Sequence, residues 1–400
     1  MIKFFSSHKN KLENIIIYLP VIFLMLGLYN LPNGRSIESK LLVISSLLFL
    51  IFFRKKIYPL FNNKSLTLFI GSILVYLLWG MFSVYFHGDD KGLIRGGFIC
   101  LTFLVCTPLF TNTKPIQFSA IIGSFAMLAI ALYQLIINKE LRIDAFTNAI
   151  PYSYGTIVIA LFNLYFIFTS KIKTEKTLHF IAVITALTCT LLSDSRGAWI
   201  AIPINIIVFL IYLNKYHSKK AVTLSILVFC LISLPATALF KDRIISRYDQ
   251  AISDINQYNS GNPITSIGIR LMLWDSSYQI FKTSPIIGRG DEYKDDRKEQ
   301  VNKGLFPPMI NQWVHTHNQY VETAVTRGSV GLFTFLALFL ASYIAINKSH
   351  ATPELKSLGY SIILSFMIFS LTDVPFKHHI TLYLYLVSLT YIVKFNKSSD

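Results

Sequence analysis

Apolar stretches of about 17–25 residues recur along the whole chain, each long enough to cross a bilayer core as a helix. They predict about twelve spans, near residues 15–31, 37–53, 65–86, 93–110, 116–137, 152–170, 177–194, 197–213, 220–240, 325–346, 355–372 and 378–394. One polar stretch interrupts this rhythm. The expected fold is therefore an all-α polytopic integral membrane protein with one large extramembrane loop. Residues 1–240 would carry spans one to nine, 241–316 the loop and 317–400 spans ten to twelve. The N-terminal lysines and apolar run resemble a signal peptide. However, the run is long and ends in Leu31-Pro32-Asn33-Gly34-Arg35, with no small-residue cleavage pattern, so it reads as an uncleaved first span.

The loop is patterned too. In Ile264–Phe281, residues Ile267, Leu271, Trp274, Tyr278 and Phe281 fall at helical spacing, predicting an amphipathic helix against the membrane or the bundle. Asn259–Pro263 and Ile287–Gly290 read as turns, and Asp291–Gln300 as a solvated charge run. Where the loop returns to apolar sequence, Thr316 followed by Gln319 forms a capping-box pattern, predicting a helix that starts there. His317 and Asn318 would then lie in its first turn, beside unpaired N–H groups that attract anions and disfavour a charged imidazole. A neutral histidine next to an anion site is suited to act as a general base.

Composition supports the membrane reading. The chain is 53% hydrophobic and 14% charged, against roughly 25% charged in soluble proteins, with a mean hydropathy of +0.52. The net charge of +16 does not point to nucleic acid, because the lysines sit mostly in short connectors. They crowd the connectors of one side, which places both termini in the cytoplasm by the positive-inside rule. The opposite side then holds the loop and the turns carrying Asp89-Asp90, Arg142–Asp144, Ser193–Arg196 and Asp373. Cys100, Cys106, Cys189 and Cys230 lie in apolar runs, so there is neither a disulfide framework nor metal-ligand spacing.

No Walker loop, dinucleotide fingerprint or Gly-x-Ser-x-Gly elbow occurs, which argues against nucleotide-driven work. Chemistry on the outer face needs a donor that carries its own activation, and a lipid pyrophosphate meets that demand. Arg196, held at a span boundary, offers a planar fork to paired oxygens, unless it pairs with Asp194. Arg270 lies on the amphipathic helix one turn before Trp274, and Arg289 sits between two glycines. Arg243 and Arg247 read as headgroup ligands. His317 and its neighbour His315 are candidate bases, with Asn318 beside them; Glu322 could orient a histidine or pair with Arg327. His378, His379 and Asp373 form a polar turn, favoured over a metal site.

At these residues the chain resembles the O-antigen ligase/polymerase superfamily, most closely the lipopolysaccharide O-antigen ligases of enteric bacteria. The resemblance rests on Ser195-Arg196-Gly197-Ala198-Trp199; on Arg270 with an aromatic-rich helix after it; on Ser284–Gly290; and on His317-Asn318 followed by Gly328-Ser329-Val330-Gly331. Trp274 stands where the family often has leucine. The resemblance implies a metal-independent, inverting glycosyltransferase without cofactors in the bacterial inner membrane. It would move O-antigen from undecaprenyl pyrophosphate to a lipid A-core sugar at the periplasmic face. His317, Arg196 and Arg270 would be catalytic, and Arg289, Asn318, His315, Trp274 and Glu322 would bind substrate. O-antigen polymerase and protein O-oligosaccharyltransferase activities belong to the same superfamily. A flippase or transporter for lipid-linked sugars is the alternative of another class, disfavoured because the span centres are nearly free of charge.

Overall fold

The computed structural model describes residues 16–56, 63–216, 219, 223 and 241–396. Among these residues every regular element is a helix, apart from one isolated bridge between Phe110 and Phe395. In chain order they are α1 (Ile16–Leu26), α2 (Gly34–Phe53), α3 (Lys64–His87), α4 (Lys91–Cys106), α5 (Lys114–Ile136), α6 (Ala149–Thr169) and α7 (Lys173–Leu192). A helical turn, Arg196–Trp199, then leads into α8 (Ala201–Tyr216). The polar segment contributes α9 (Lys241–Asn259), α10 (Ser266–Thr283) and α11 (Tyr293–Asn302). The chain closes with α12 (Gln319–Lys348), α13 (Pro353–Thr372) and α14 (His379–Val393).

Among the described residues, seven helices are long and apolar enough to cross a membrane: α3, α5, α6, α7, α8 with its leading turn, α12 and α13. These seven account for part of the twelve spans expected. α1 and α14 are shorter apolar helices, and α4 runs only from Lys91 to Cys106. The span expected at 220–240 lies outside the described residues, as do residues 1–15. Polar caps set several starts: the side chains of Asn63, Asp90, Asn148 and Thr352 accept backbone N–H bonds at the first turns of α3, α4, α6 and α13.

Two helices form the centre. α6 is buried over 83% of its most apolar window, packing against α5, α7, α13 and α14, and the side chains of α14 are buried almost throughout. The outer helices instead present large apolar side chains, including Ile51 at 67%, Ile136 at 63% and Phe333 at 73% exposure. An apolar exterior round a helical bundle matches a lipid solvent, in which helices satisfy their own backbone bonds.

One join determines the shape of the site. Gly328, within α12, has φ 67° and ψ −170°, which breaks the helix. The loop after α10 fills the gap: Ser329 N–H donates to Pro285 O (2.8 Å), Val330 N–H to Ile286 O (3.3 Å) and Arg289 N–H to Val325 O (2.8 Å). A side chain on Gly328 would strike Ile286 O, and one on Gly288 the backbone of Thr326–Gly328. The two glycine motifs of the sequence are therefore halves of one crossing, where backbone lies on backbone.

Candidate active site

The expected helix start at Thr316 is displaced. α12 begins at Gln319, and the N-cap is Asn318, whose side-chain oxygen accepts from Tyr320 N–H (3.0 Å) and Val321 N–H (3.2 Å). His317 stands before the cap in a left-handed conformation, φ 54°, rather than inside the first turn. Thr316 serves the turn instead: its hydroxyl donates to Asn318 O (3.0 Å) and its N–H to Glu322 Oε2 (2.9 Å). A left-handed residue reverses the chain, which takes Thr316 out of capping position and leaves the work to Asn318.

His317 opens onto a cavity of about 290 Å³ whose lining includes Arg142, Asp194, Arg196, Arg247, Arg270, Tyr154 and Trp313. These residues come from six parts of the chain: the connector before α6, α6 itself, the turn before α8, helices α9 and α10, and the loop before α12. Asp194 does not neutralise Arg196. It is paired with Arg247, which bonds to it through Nε at 2.9 Å and also through Nη2. Arg247 is thus fixed beside the cavity rather than free for headgroups; the side chain of Arg243 lies outside the described ones. Arg196 Nη1 donates to Arg247 O (3.4 Å) and Arg142 Nε to Ser193 O (3.1 Å). Burial pulls Arg142, Arg247 and Arg270 below the ordinary guanidinium range, with repulsion from neighbouring arginines adding to it. All remain charged. Cations gathered around one half-buried cavity make a site for a multiply charged anion.

A second group of charges lies behind His317. Its Nδ1 is 3.2 Å from Asp373 Oδ1, and Asp373 Oδ2 is 3.2 Å from His378 Nε2. Asp373 is almost wholly buried. Burial opposes its charge, but the hydrogen bonds from His317 and His378 prevail and hold its carboxyl far below the usual range. An ionised carboxylate only accepts, so a neutral His317 carries its proton on Nδ1 and keeps a lone pair on Nε2. The His315 ring lies 4.4 Å from that of His317 and 5.9 Å from that of His378. Its pKa falls to about 4, chiefly through burial. The metal reading of this turn gains a different member: His315, His317 and Asp373 bring ligand atoms within 4.8 Å of one another, whereas His379 packs toward Gly92 and Gly96.

The other sequence candidates surround this arrangement. Glu322 is fully buried behind the cavity, pairing with Lys377 (2.6 Å) and accepting from Tyr293 OH (3.2 Å), so it braces the His317 loop. It does not pair with Arg327, which meets Asp89 at 2.6 Å. Trp274 Nε1 donates to Thr316 O (2.9 Å), tying α10 to the same loop. Arg289 is taken up locally by Asp296 (2.8 and 3.1 Å) and is not among the residues lining the cavity. The apolar stripe expected on α10 is not its buried face. Gly268, Met272, Leu273, Ser276, Ser277 and Ile280 pack inward, while Tyr278 is 58% exposed. Ser276 on that face donates to Gln300 Oε1 of α11 (2.6 Å), and of the expected stripe Trp274 is half-buried beside Met272, Leu273 and Ile310. Sequence reasoning missed Arg142 and Arg247 as cavity residues. The available signal was their position on the same side as Arg196.

Comparison with known proteins agrees with the motifs. Residues 181–336 match the family described as O-Antigen ligase, a stretch that contains Arg196, Arg270, His317 and both glycine motifs. The chain is 29% identical over 343 residues to an uncharacterized protein of Haemophilus influenzae (strain ATCC 51907 / DSM 11121 / KW20 / Rd), covering 82% of this chain and 84% of that one. It is 28% identical over 323 residues to the O-antigen ligase of Escherichia coli (strain K12), covering 75% of each. The resemblance to the O-antigen ligases thus extends over three quarters of the chain.

Proposed function

We propose that this protein is an O-antigen ligase of the bacterial inner membrane. It would transfer O-antigen polysaccharide from undecaprenyl pyrophosphate to a sugar of the lipid A-core at the periplasmic face. The observation that carries this reading is the meeting of Arg196, Arg270 and His317, far apart in sequence, around one cavity. In this reading residues 241–316 form a periplasmic cap, and both termini are cytoplasmic.

The chemistry follows from the groups present. Arg196 and Arg270, with Arg142 and Arg247 beside them, hold the pyrophosphate and stabilise the charge it gains as the bond to the anomeric carbon breaks. His317 Nε2 accepts the proton of the acceptor hydroxyl while that oxygen attacks the opposite face of the sugar. Asp373 orients the imidazole and stabilises the imidazolium that forms. One displacement of this kind inverts the anomeric centre and releases undecaprenyl pyrophosphate. Anchoring both substrates in one membrane surface brings the reacting atoms together at little further entropic cost.

A deletion strain tests the assignment. Loss of a ligase leaves bare core while polymerised lipid-linked glycan accumulates. Core capped with a single repeat would instead identify a polymerase. His317→Ala, Arg196→Ala and Arg270→Ala should express at normal levels and fail to restore capping. Wild-type capping by Arg270→Lys would argue against a bidentate clamp, since lysine offers only a point charge.

A further inference from the structure

We propose that His315, His317 and Asp373 form an inhibitory binding site for a first-row transition-metal dication such as Zn2+. Each contributes one ligand atom, and the three atoms lie within 4.8 Å of one another. Imidazole nitrogens with a carboxylate oxygen are the donors that Zn2+ takes in three-ligand protein sites, leaving a fourth position open. Tetrahedral ligation at about 2.0–2.2 Å places ligand atoms roughly 3.3 Å apart, so the set closes round an ion with movements of about an ångström. His315 supplies the independent indication. Its Nδ1 is buried and has no hydrogen-bond partner, whereas buried ring nitrogens are ordinarily satisfied. Catalysis as proposed above leaves this ring unused. His378, on the other oxygen of Asp373, lies in the surrounding shell and orients the carboxylate.

A metal here opposes base catalysis whichever nitrogen of His317 it takes. On Nε2 it occupies the lone pair that would accept the acceptor's proton. On Nδ1 it forces the remaining ring proton onto Nε2, with the same result. It also adds positive charge beside the arginine cavity and draws Asp373 away from its hydrogen bond. The inhibitory part rests on the ligase reading; the binding part does not.

Full-length protein in detergent, prepared without chelator, is titrated with Zn2+ by calorimetry and with Co2+ as a visible-absorption probe. One equivalent per chain is expected, with the d–d bands of low-coordinate Co2+. His315→Ala and His315→Gln should weaken binding by at least about tenfold, the smaller loss found even for outer-shell changes. His378→Ala should retain the stoichiometry. Thermal unfolding of each variant without metal checks that it is folded. Absence of stoichiometric binding, or unchanged affinity in both His315 variants, overturns the site. In a transfer assay Zn2+ should inhibit wild type, reversibly with EDTA, and inhibit His315→Gln at least about tenfold less effectively. Stoichiometric binding with undiminished transfer overturns the inhibitory role. Absence of transfer by wild type both with and without Zn2+ would count against the ligase reading alone.

Discussion

The left-handed backbone at His317 places an imidazole at a chain reversal, with Asp373 on one side and the arginine cavity on the other. In the proposed reaction, a base held this way depends on its carboxylate. Asp373→Asn replaces an acceptor-only group by one that can also donate, which loosens control of the tautomer. The variant should lower kcat by on the order of 100-fold, measured as core capping in a purified assay. His315 gives a separate pH signature. Its pKa is about 4 in the folded chain against an ordinary 6.5, so between those values the unfolded chain binds the additional proton. Stability therefore falls on acidification from pH 6.5 to 4 and flattens below, as far as this residue contributes. Asp373, depressed in the folded state, adds a loss at lower pH, as the carboxylates of the unfolded chain protonate. Thermal melts of His315→Gln should show a shallower decline than wild type between pH 6.5 and 4.

Among the elements, the crossing of the 285–289 loop with α12 is the least replaceable join. Gly328 lies in a backbone region essentially restricted to glycine, and Ile286 O blocks any side chain. Gly304 also has a positive φ, 76°, but meets nothing within 4 Å. The pair separates backbone strain from lost packing. Gly304→Ala should cost about 1 kcal/mol, and Gly328→Ala at least about 3 kcal/mol, read from denaturant or thermal unfolding in detergent. The motif was legible in the sequence as Gly-x-x-Gly, but its partner was not, because spacing within one segment carries no information about which loop will lie across it. The same limit explains the displaced helix start. Thr316 and Gln319 have capping spacing, yet Asn318 wins because His317 turns the chain first.

For the molecule as a whole, long apolar runs made most of the helices legible, since a run of that length has few other stable arrangements in lipid. Arg196, Arg270 and His317 were legible from their motifs. Arg142 and Arg247 were not, because their value comes from turns that meet only in the assembled bundle. Sidedness gives the corresponding test. Tyr278 is 58% exposed on α10, whereas Cys100, Cys106 and Cys189 are buried. In a Cys230→Ser background, Tyr278→Cys should react in intact spheroplasts with a membrane-impermeant maleimide. Labelling only after the membrane is opened would reverse the proposed orientation.

The broken helix also constrains how the protein is made. The 285–289 loop is synthesised before α12, and the backbone on either side of the break at Gly328 is bonded to it. Neither half of the crossing can close until both have arrived on the same side of the membrane. Insertion order thus becomes a checkpoint: until the 285–289 loop lies against Gly328, the helix next to His317 is unfinished and the cavity is not assembled.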